Sequence, residues 1–239
     1  WECIFYLRHN EYIMKNGLSL LPPIRRHSGL GLRVTQKYGD KSNLAFYTLH
    51  GIGIPYHQGT DLTLGLDPKQ AYGSELIAMT DGKVVKVQYD TPLSRKGNGI
   101  TIQTPLRTYN GEEYQSYWLF WHCSKIVKAV GNEVKKGEIV AYLGNSGAVF
   151  PSPTPAEPYA GTHCHIQIWD YKKVGGVWLL LDGGNGVGGA VDPMQYMLDL
   201  YNDALFGNVP DVEKKLLPFQ DLLNIIKSKV DALIKLLRK

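Results

Sequence analysis

Cysteine is scarce in this sequence: Cys3, Cys123 and Cys164 are the only three among 239 residues. Three cannot all pair within one chain, so a disulfide-scaffolded fold is excluded. Also missing is any apolar run long enough to cross a bilayer as a helix, and no transmembrane segment is expected. Neither sign of charge dominates, with 26 Lys and Arg against 22 Asp and Glu and a net charge of +4. That mild excess suits an anionic wall or membrane surface, but there is no dense Lys/Arg stripe, and nucleic acid is not expected as a partner. The opening stretch Trp1 to Arg8 is broken by charge and has no signal-peptide layout. It also lacks an initiator Met, so a processed or trimmed product is expected.

What the chain does have is glycine and aromatic residues: 26 Gly, 15 Tyr and 5 Trp. Together with 44% hydrophobic and 20% charged residues they describe a globular, turn-rich, β-rich chain. Its length suits one main domain with appendages. Residues 1–27, which mix aromatics with scattered charge and end at Pro22-Pro23, read as an N-terminal arm or linker; 28–207 read as the main domain.

Strands are expected at Leu32–Gln36, Leu44–Leu49, Asn98–Gln103 and Tyr114–His122, by residue type and turn punctuation. The segment Tyr56–Leu64 is extended. Glu75–Met79 and Lys83–Gln88 flank Thr80-Asp81-Gly82 and read as a hairpin, and Val130–Gly144 as a strand pair around glycine turns. Val174-Gly175-Gly176-Val177 is a further hairpin turn. The Gly183–Gly189 run has no strand–glycine–helix context with a lysine, so it reads as a flexible loop rather than a phosphate cradle.

Asp192-Pro193 opens a short helix over Met194–Leu205, with Asp192 as N-cap. From Asp211 onward, Leu216, Phe219, Leu223, Ile226, Val230, Leu233 and Leu237 recur at three- and four-residue steps. This pattern marks a C-terminal amphipathic helix within residues 208–239, suited to docking or self-association. The fold class read from the residues is therefore mainly β, with a short helix after the sheet and the amphipathic helix at the end.

The chemistry centres on His163-Cys164-His165. In a strand, two histidines two residues apart share one face, and Cys164 points to the other. His57-x-x-x-Asp61 adds a nitrogen and an oxygen donor across one short bend. With one histidine of the pair, these give three protein ligands, the number a catalytic zinc site uses while keeping a position open.

Four ordered segments carry a resemblance: His57-Gln58-Gly59-Thr60-Asp61, Trp121-His122-Cys123-Ser124-Lys125-Ile126, Val130–Gly147 and His163-Cys164-His165-Ile166. They resemble the motifs of the lysostaphin/LytM-type zinc endopeptidases, which cut peptide cross-bridges or stems of bacterial peptidoglycan. The resemblance covers roughly residues 30–200 and implies a duplicated hybrid motif of paired antiparallel sheets. It implies one Zn2+ per chain, with His57, Asp61 and His165 as ligands and His122 and His163 as catalytic histidines beside the metal. It also implies hydrolysis by a metal-activated water, and it does not assign the base between His122 and His163.

Members of this family usually carry aliphatic residues where Cys123 and Cys164 stand. Both cysteines are expected to be buried, facing away from the metal, and close together if their strands are neighbours. The proline-rich segment Phe150–Tyr159 is longer than the family's usual connection, and a groove wall and a solvent-exposed insertion are equally open. His9, His27 and His50 lack partners at ligand spacing and read as surface or packing residues. Trp118, Phe120 and Trp169 share parity with nearby site histidines; core packing is favoured over cleft lining.

The resemblance implies peptidoglycan as partner and action at the cell wall, outside the cytoplasm. A bacteriophage lysin released at lysis or a tail-associated enzyme fits that setting, the C-terminal helix binding other virion proteins or a second copy. The alternatives are a non-catalytic wall-binding or hydrolase-activating relative, or a structural component of a phage tail. The Val130–Leu143 hairpin also resembles those of biotinyl and lipoyl carriers, which would leave the histidines without a use.

Overall fold

The computed structural model describes residues 17–18, 20–25, 30–49, 56–91, 95–181 and 188–197. In chain order these form β1 (Leu32–Gln36), α1 (Leu44–Leu49), β2 (Thr60–Leu64), α2 (Pro68–Ala71), β3 (Glu75–Ile77) and β4 (Gly82–Gln88). Next come β5 (Asn98–Gln103), β6 (Arg107–Tyr109), β7 (Glu112–Cys123), β8 (Lys125–Ile126), β9 (Glu133–Val134) and β10 (Ile139–Tyr142). The last are β11 (Cys164–Val174), β12 (Val177–Leu180) and a 3-10 turn at Pro193–Tyr196.

The strands make two antiparallel sheets. The larger runs β1-β2-β11-β7-β5-β4-β9, with β12 paired to β11 and β6 to β7; the smaller runs β3-β10-β8. The fold is thus mainly β and antiparallel. Its core lies where the inner face of the large sheet meets the small one: Ile100, Ile102, Trp118, Phe120, Ile166 and Ile168 pack in one buried cluster with Leu76, Val140 and Leu143. Alternation along β11, and along β7 as far as Trp121, sends every second residue inward and leaves the others on the opposite face. Trp118 and Phe120 are therefore core residues.

Two expectations about local structure are corrected. Leu44–Leu49 is helical, not a strand. Asp40 accepts from the Ser42 amide at 2.8 Å and from its hydroxyl at 2.9 Å, a local turn that launches a helix, and the helix buries Tyr47. Residue type alone did not separate this short apolar run from a strand.

The second correction concerns the hairpins. β3 and β4 do not pair with each other: β3 pairs with β10, and β4 with β5 and β9. β9 and β10 are likewise split between the sheets. The chain changes sheet at Asp81-Gly82, where a Cβ on Gly82 would stand 2.5 Å from the Gln103 carbonyl oxygen. The β11–β12 hairpin is present, with Gly175 and Gly176 both at positive φ.

Leu18, Leu20 and Ile24 are buried in the core cluster, and the Leu21 and Arg25 amides bond to the carbonyls of Met79 and Glu75. Residues 1–16, with His9, lie outside the described residues, as do His27, His50, most of the Gly183–Gly189 run and the expected amphipathic helix. Of the short helix expected at Met194–Leu205, the described part is the 3-10 turn capped by Asp192. No helix among the described residues is long and apolar enough to cross a membrane.

One polar cluster ties that turn to the sheet. Asp170 is fully buried on the inner face of β11 and accepts from Arg107 at 2.7 Å, Ser116 at 2.6 Å and Tyr196 at 3.0 Å. Removing the carboxylate takes away a fully buried anion that accepts from three donors on three separate elements. Asp170→Ala is expected to lose about 3–5 kcal/mol of stability, read from the denaturant midpoint. A loss below about 1 kcal/mol would contradict this account of the cluster.

Candidate metal and catalytic centre

The site lies at one end of the large sheet, on its outer face. There β11 runs between β2 and β7, with His165 opposite Asp61 on one side and opposite Trp121 on the other. Cross-strand partners share a face, so this register alone brings Asp61, His165 and Trp121 together. His163, two residues back on the same pleat, joins them, with Nε2 3.5 Å from Asp61 Oδ2. His57 arrives from the segment before β2; its Nε2 is 3.1 Å from Asp61 Oδ1 and 2.9 Å from His165 Nδ1. His165 Nδ1 is 3.0 Å from the same carboxylate oxygen. These three residues are buried and form a possible metal site.

His122 reaches the site through a bulge. Asn98 pairs with Cys123 and Ile100 with Phe120, so Trp121 and His122 together oppose the single residue Gly99. His122 takes up the extra length at φ 63°, in the left-handed region. Its ring stands 4.7 Å from that of His163, while Cys123 returns to the core. A plain strand would have turned His122 inward alongside Trp118 and Phe120.

Backbone carbonyls fix the imidazole tautomers. The Nδ1–H of His57 donates to Lys37 at 3.0 Å, that of His122 to Ser146 at 2.8 Å, and that of His163 to Gly161 at 2.7 Å. A carbonyl can only accept, so each Nδ1 carries the proton and each Nε2 is left for the site.

Burial acts on Asp61, His57, His165 and His122. It would raise the Asp61 carboxyl, but the neighbouring His163 and His57 charges and hydrogen bonds from His165 and His57 hold it well below the usual carboxylate range. Burial also works to lower His57, which the Asp61 charge and hydrogen bond nevertheless raise. His165 is lowered, by burial first. Burial, reinforced by His163 and His165, pushes His122 down to about 3, so it is a neutral imidazole at ordinary pH.

These groups open into a cavity of about 1020 Å³. Thr35, Phe46 and Tyr47 form one wall, and Arg95, Lys96 and Phe150 are on its lining as well. Phe46 and Phe150 meet edge to face at 5.9 Å. Burial and the Asp61 charge raise the Tyr47 phenol, which keeps it a hydrogen-bond donor. Of the proline-rich segment, Phe150 lines the cavity and residues 151–159 do not.

The four site histidines and the one aspartate named from the sequence are thus brought together. Sequence reasoning missed Trp121, whose indole stacks on the His165 ring at 4.8 Å and 12°. Its adjacency to His122 was the available signal, masked by the unforeseen bulge. Tyr47 was missed because its helix was read as a strand. Cys123 and Cys164 are free, buried and in the core cluster, near enough for Cys123 to influence Cys164. Burial pushes the Cys123 thiol up to about 12 and that of Cys164 well above its ordinary value.

Gly59 sets how closely the first ligand segment approaches β11. A Cβ there would lie 2.1 Å from the Ile166 carbonyl oxygen and 2.8 Å from the His165 ring. Gly59→Ala is expected to cost about 1–3 kcal/mol by overpacking and to weaken retention of a divalent cation, read by denaturation and by metal analysis after dialysis. A variant unchanged in both would contradict this packing.

Comparison with known proteins supplies the family. Residues 56–176, just over half of the chain, match the family described as Peptidase family M23. The chain is 24% identical over 171 residues to an uncharacterized metalloprotease of Buchnera aphidicola subsp. Baizongia pistaciae, covering 71% of this chain and 37% of that one. It is 28% identical over 170 residues to the peptidoglycan DD-endopeptidase ShyA of Vibrio cholerae, covering 70% and 32%. The chain therefore spans about a third of the length of these curated relatives. Among solved structures it is similar to the catalytic domain of the antimicrobial peptidase lysostaphin from Staphylococcus simulans, at 20% identity, 70% and 92% coverage and a TM-score of 0.43. The matched residues run from the segment that carries His57 through β11, and the chain belongs to peptidase family M23.

Proposed function

We propose that this protein is a zinc-dependent endopeptidase that hydrolyses peptide cross-links or stem peptides of bacterial peptidoglycan. The observation that carries this reading is the triangle of His57 Nε2, Asp61 Oδ1 and His165 Nδ1, with sides of 2.9 to 3.1 Å. The donor set fits a metal. His57 Nδ1 is committed to the Lys37 carbonyl, so its Nε2 faces an ionised carboxylate at close range, an arrangement that a cation between them makes favourable. Two nitrogens and one carboxylate oxygen suit zinc, whose ligand bonds of about 2.0–2.2 Å span such a triangle. Held there, zinc supplies a Lewis acid that polarises a scissile carbonyl and acidifies water at the site.

The remaining chemistry belongs to side chains of this chain. His122 and His163, each pinned through Nδ1, present Nε2 to the site as acceptors. Either takes the proton of the attacking water and, once protonated, returns it to the departing amine. Asp61 stays ionised and orients the histidines around it. The cavity binds the peptide between α1 and the segments carrying Lys96 and Phe150. Family membership and the named activity of the ShyA relative support the choice of substrate. The setting that goes with this substrate is extracellular, at the wall, as a secreted or phage-borne enzyme.

Digestion of purified peptidoglycans with different cross-bridges, with mass analysis of new amino termini, tests the reading. The zinc-loaded protein is expected to release new peptide amino termini. His165→Ala is expected to lose both metal and activity. His122→Ala and His163→Ala are expected to keep one metal per chain while slowing cleavage about 10²–10⁴-fold. Cleavage that persists after chelation, or products with new reducing ends and no new amino termini, would overturn it.

A further inference from the structure

We infer that the outer face of the large sheet beside the catalytic cavity is a glycan subsite, which seats the N-acetylated amino-sugar strand of the substrate while the attached peptide enters the cavity. This deepens the proposed function and rests on the reading of peptidoglycan as substrate.

The face follows from the register. Behind the row of Trp121 and His165 lies a row in which Lys86, Thr101 and Leu119 pair across β4, β5 and β7. The next row pairs Gln103, Tyr117 and Trp169 across β5, β7 and β11. These positions alternate with the core residues, so their side chains all stand on the site face. All of them but Gln103 line a groove of about 300 Å³ with Leu119 as buried floor and Trp169 and Tyr171 along one side. Gln88, Lys96 and Trp121 line both this groove and the catalytic cavity, so one ligand can occupy the two continuously.

The lining selects the occupant. Of the ten residues around the groove, four are aromatic, two are lysines and none is acidic, which favours a ligand rich in acceptors and disfavours a cationic one. The surface is the face of a sheet and not its edge, so an added peptide strand finds no free backbone ladder to join. A sugar ring offers what the groove can use: an apolar C–H face for an aromatic ring, with hydroxyl and acetamide oxygens at its rim for Lys86, Lys96 and Thr101.

The aromatic groups are held in place. Trp169 donates through Nε1 to the Gly188 carbonyl at 3.3 Å, and Tyr117 meets Tyr171 edge to face at 5.5 Å while its hydroxyl accepts from Gln103 at 2.7 Å. Trp121 lies over Gly99, where a Cβ would strike it at 2.5 Å, and Lys96 sits 4.5 Å from its ring centre. Fixed rings lower the ordering cost of binding. Because Trp121 also stacks on His165, an occupied groove ends against a metal-ligand side chain.

The test uses Trp169→Ala and, on a different strand, Lys86→Ala, with the zinc-loaded full chain. Peptide-free glycan strands are titrated while tryptophan fluorescence is followed, and cleavage of intact peptidoglycan is compared with cleavage of a sugar-free cross-linked peptide. The expected result is saturable glycan binding by the parent protein, weakened about tenfold in Trp169→Ala and measurably in Lys86→Ala. Cleavage of intact peptidoglycan is expected to fall in proportion at low substrate, with cleavage of the sugar-free peptide within about twofold of the parent. Absence of glycan binding by the parent protein overturns the subsite, as do variants that slow both substrates alike or neither. If the parent protein cuts neither substrate, the peptidase reading fails, and the glycan titration still decides for or against the subsite.

Discussion

The pairing of β11 with β2 on one side and β7 on the other is the constraint on which the site depends. It sets His165 opposite both Asp61 and Trp121. A slip of one residue in either ladder would turn the histidines into the core and expose Cys164 and Ile166 in their place. The inner face guards against that slip, because Ile166, Ile168, Phe120 and Trp118 are all fully buried there. Hydrophobic packing on one side of the sheet thus fixes the geometry of polar groups on the other.

Around that frame, the polar groups constrain one another. Three imidazoles are held through Nδ1 by backbone carbonyls, from Lys37, Ser146 and Gly161. The backbone therefore chooses the tautomer and turns each Nε2 toward the site, where Asp61 stands 3.1 Å from that of His57 and 3.5 Å from that of His163. His122 holds its position at φ 63°, a conformation costing about 1–3 kcal/mol for a residue other than glycine. The Ser146 hydrogen bond and the surrounding ladder over-determine it. Close backbone approaches complete the frame: Gly144 leaves no room for a Cβ against the Ser124 amide, 2.2 Å away, where β10 leads toward His163.

Much of this was legible in the sequence because it depends on the two-residue period of a strand. His163 and His165 had to share a face and Cys164 had to leave it, and the four-residue step from His57 to Asp61 spans one bend. The β-rich class followed from residue type and turn punctuation, and the antiparallel pairing of its sheets from the family resemblance. What could not be read were features set by tertiary context. The bulge that swings His122 outward needs the partner strand, since nothing local to Trp121-His122-Cys123 requires an extra residue. Leu44–Leu49 is short and apolar, and only the Asp40 turn and the buried Tyr47 decide for helix. The hairpins expected around Gly82 and Gly137 split between sheets, since β3 pairs with β10 and β4 with β5 and β9, partners that the turn residues do not specify. The aromatic groove was invisible for the same reason: Trp169, Tyr117 and Lys86 become neighbours only once β11, β7 and β4 are aligned.

Anomalous diffraction at the zinc edge, from crystals of the zinc-loaded protein, tests the central claim most directly. The account predicts one strong peak per chain within bonding distance of His57 Nε2, Asp61 Oδ1 and His165 Nδ1, with His122 and His163 close by and unbonded to the metal. A peak held by Cys123 or Cys164, or the absence of any metal among these three atoms, would contradict it.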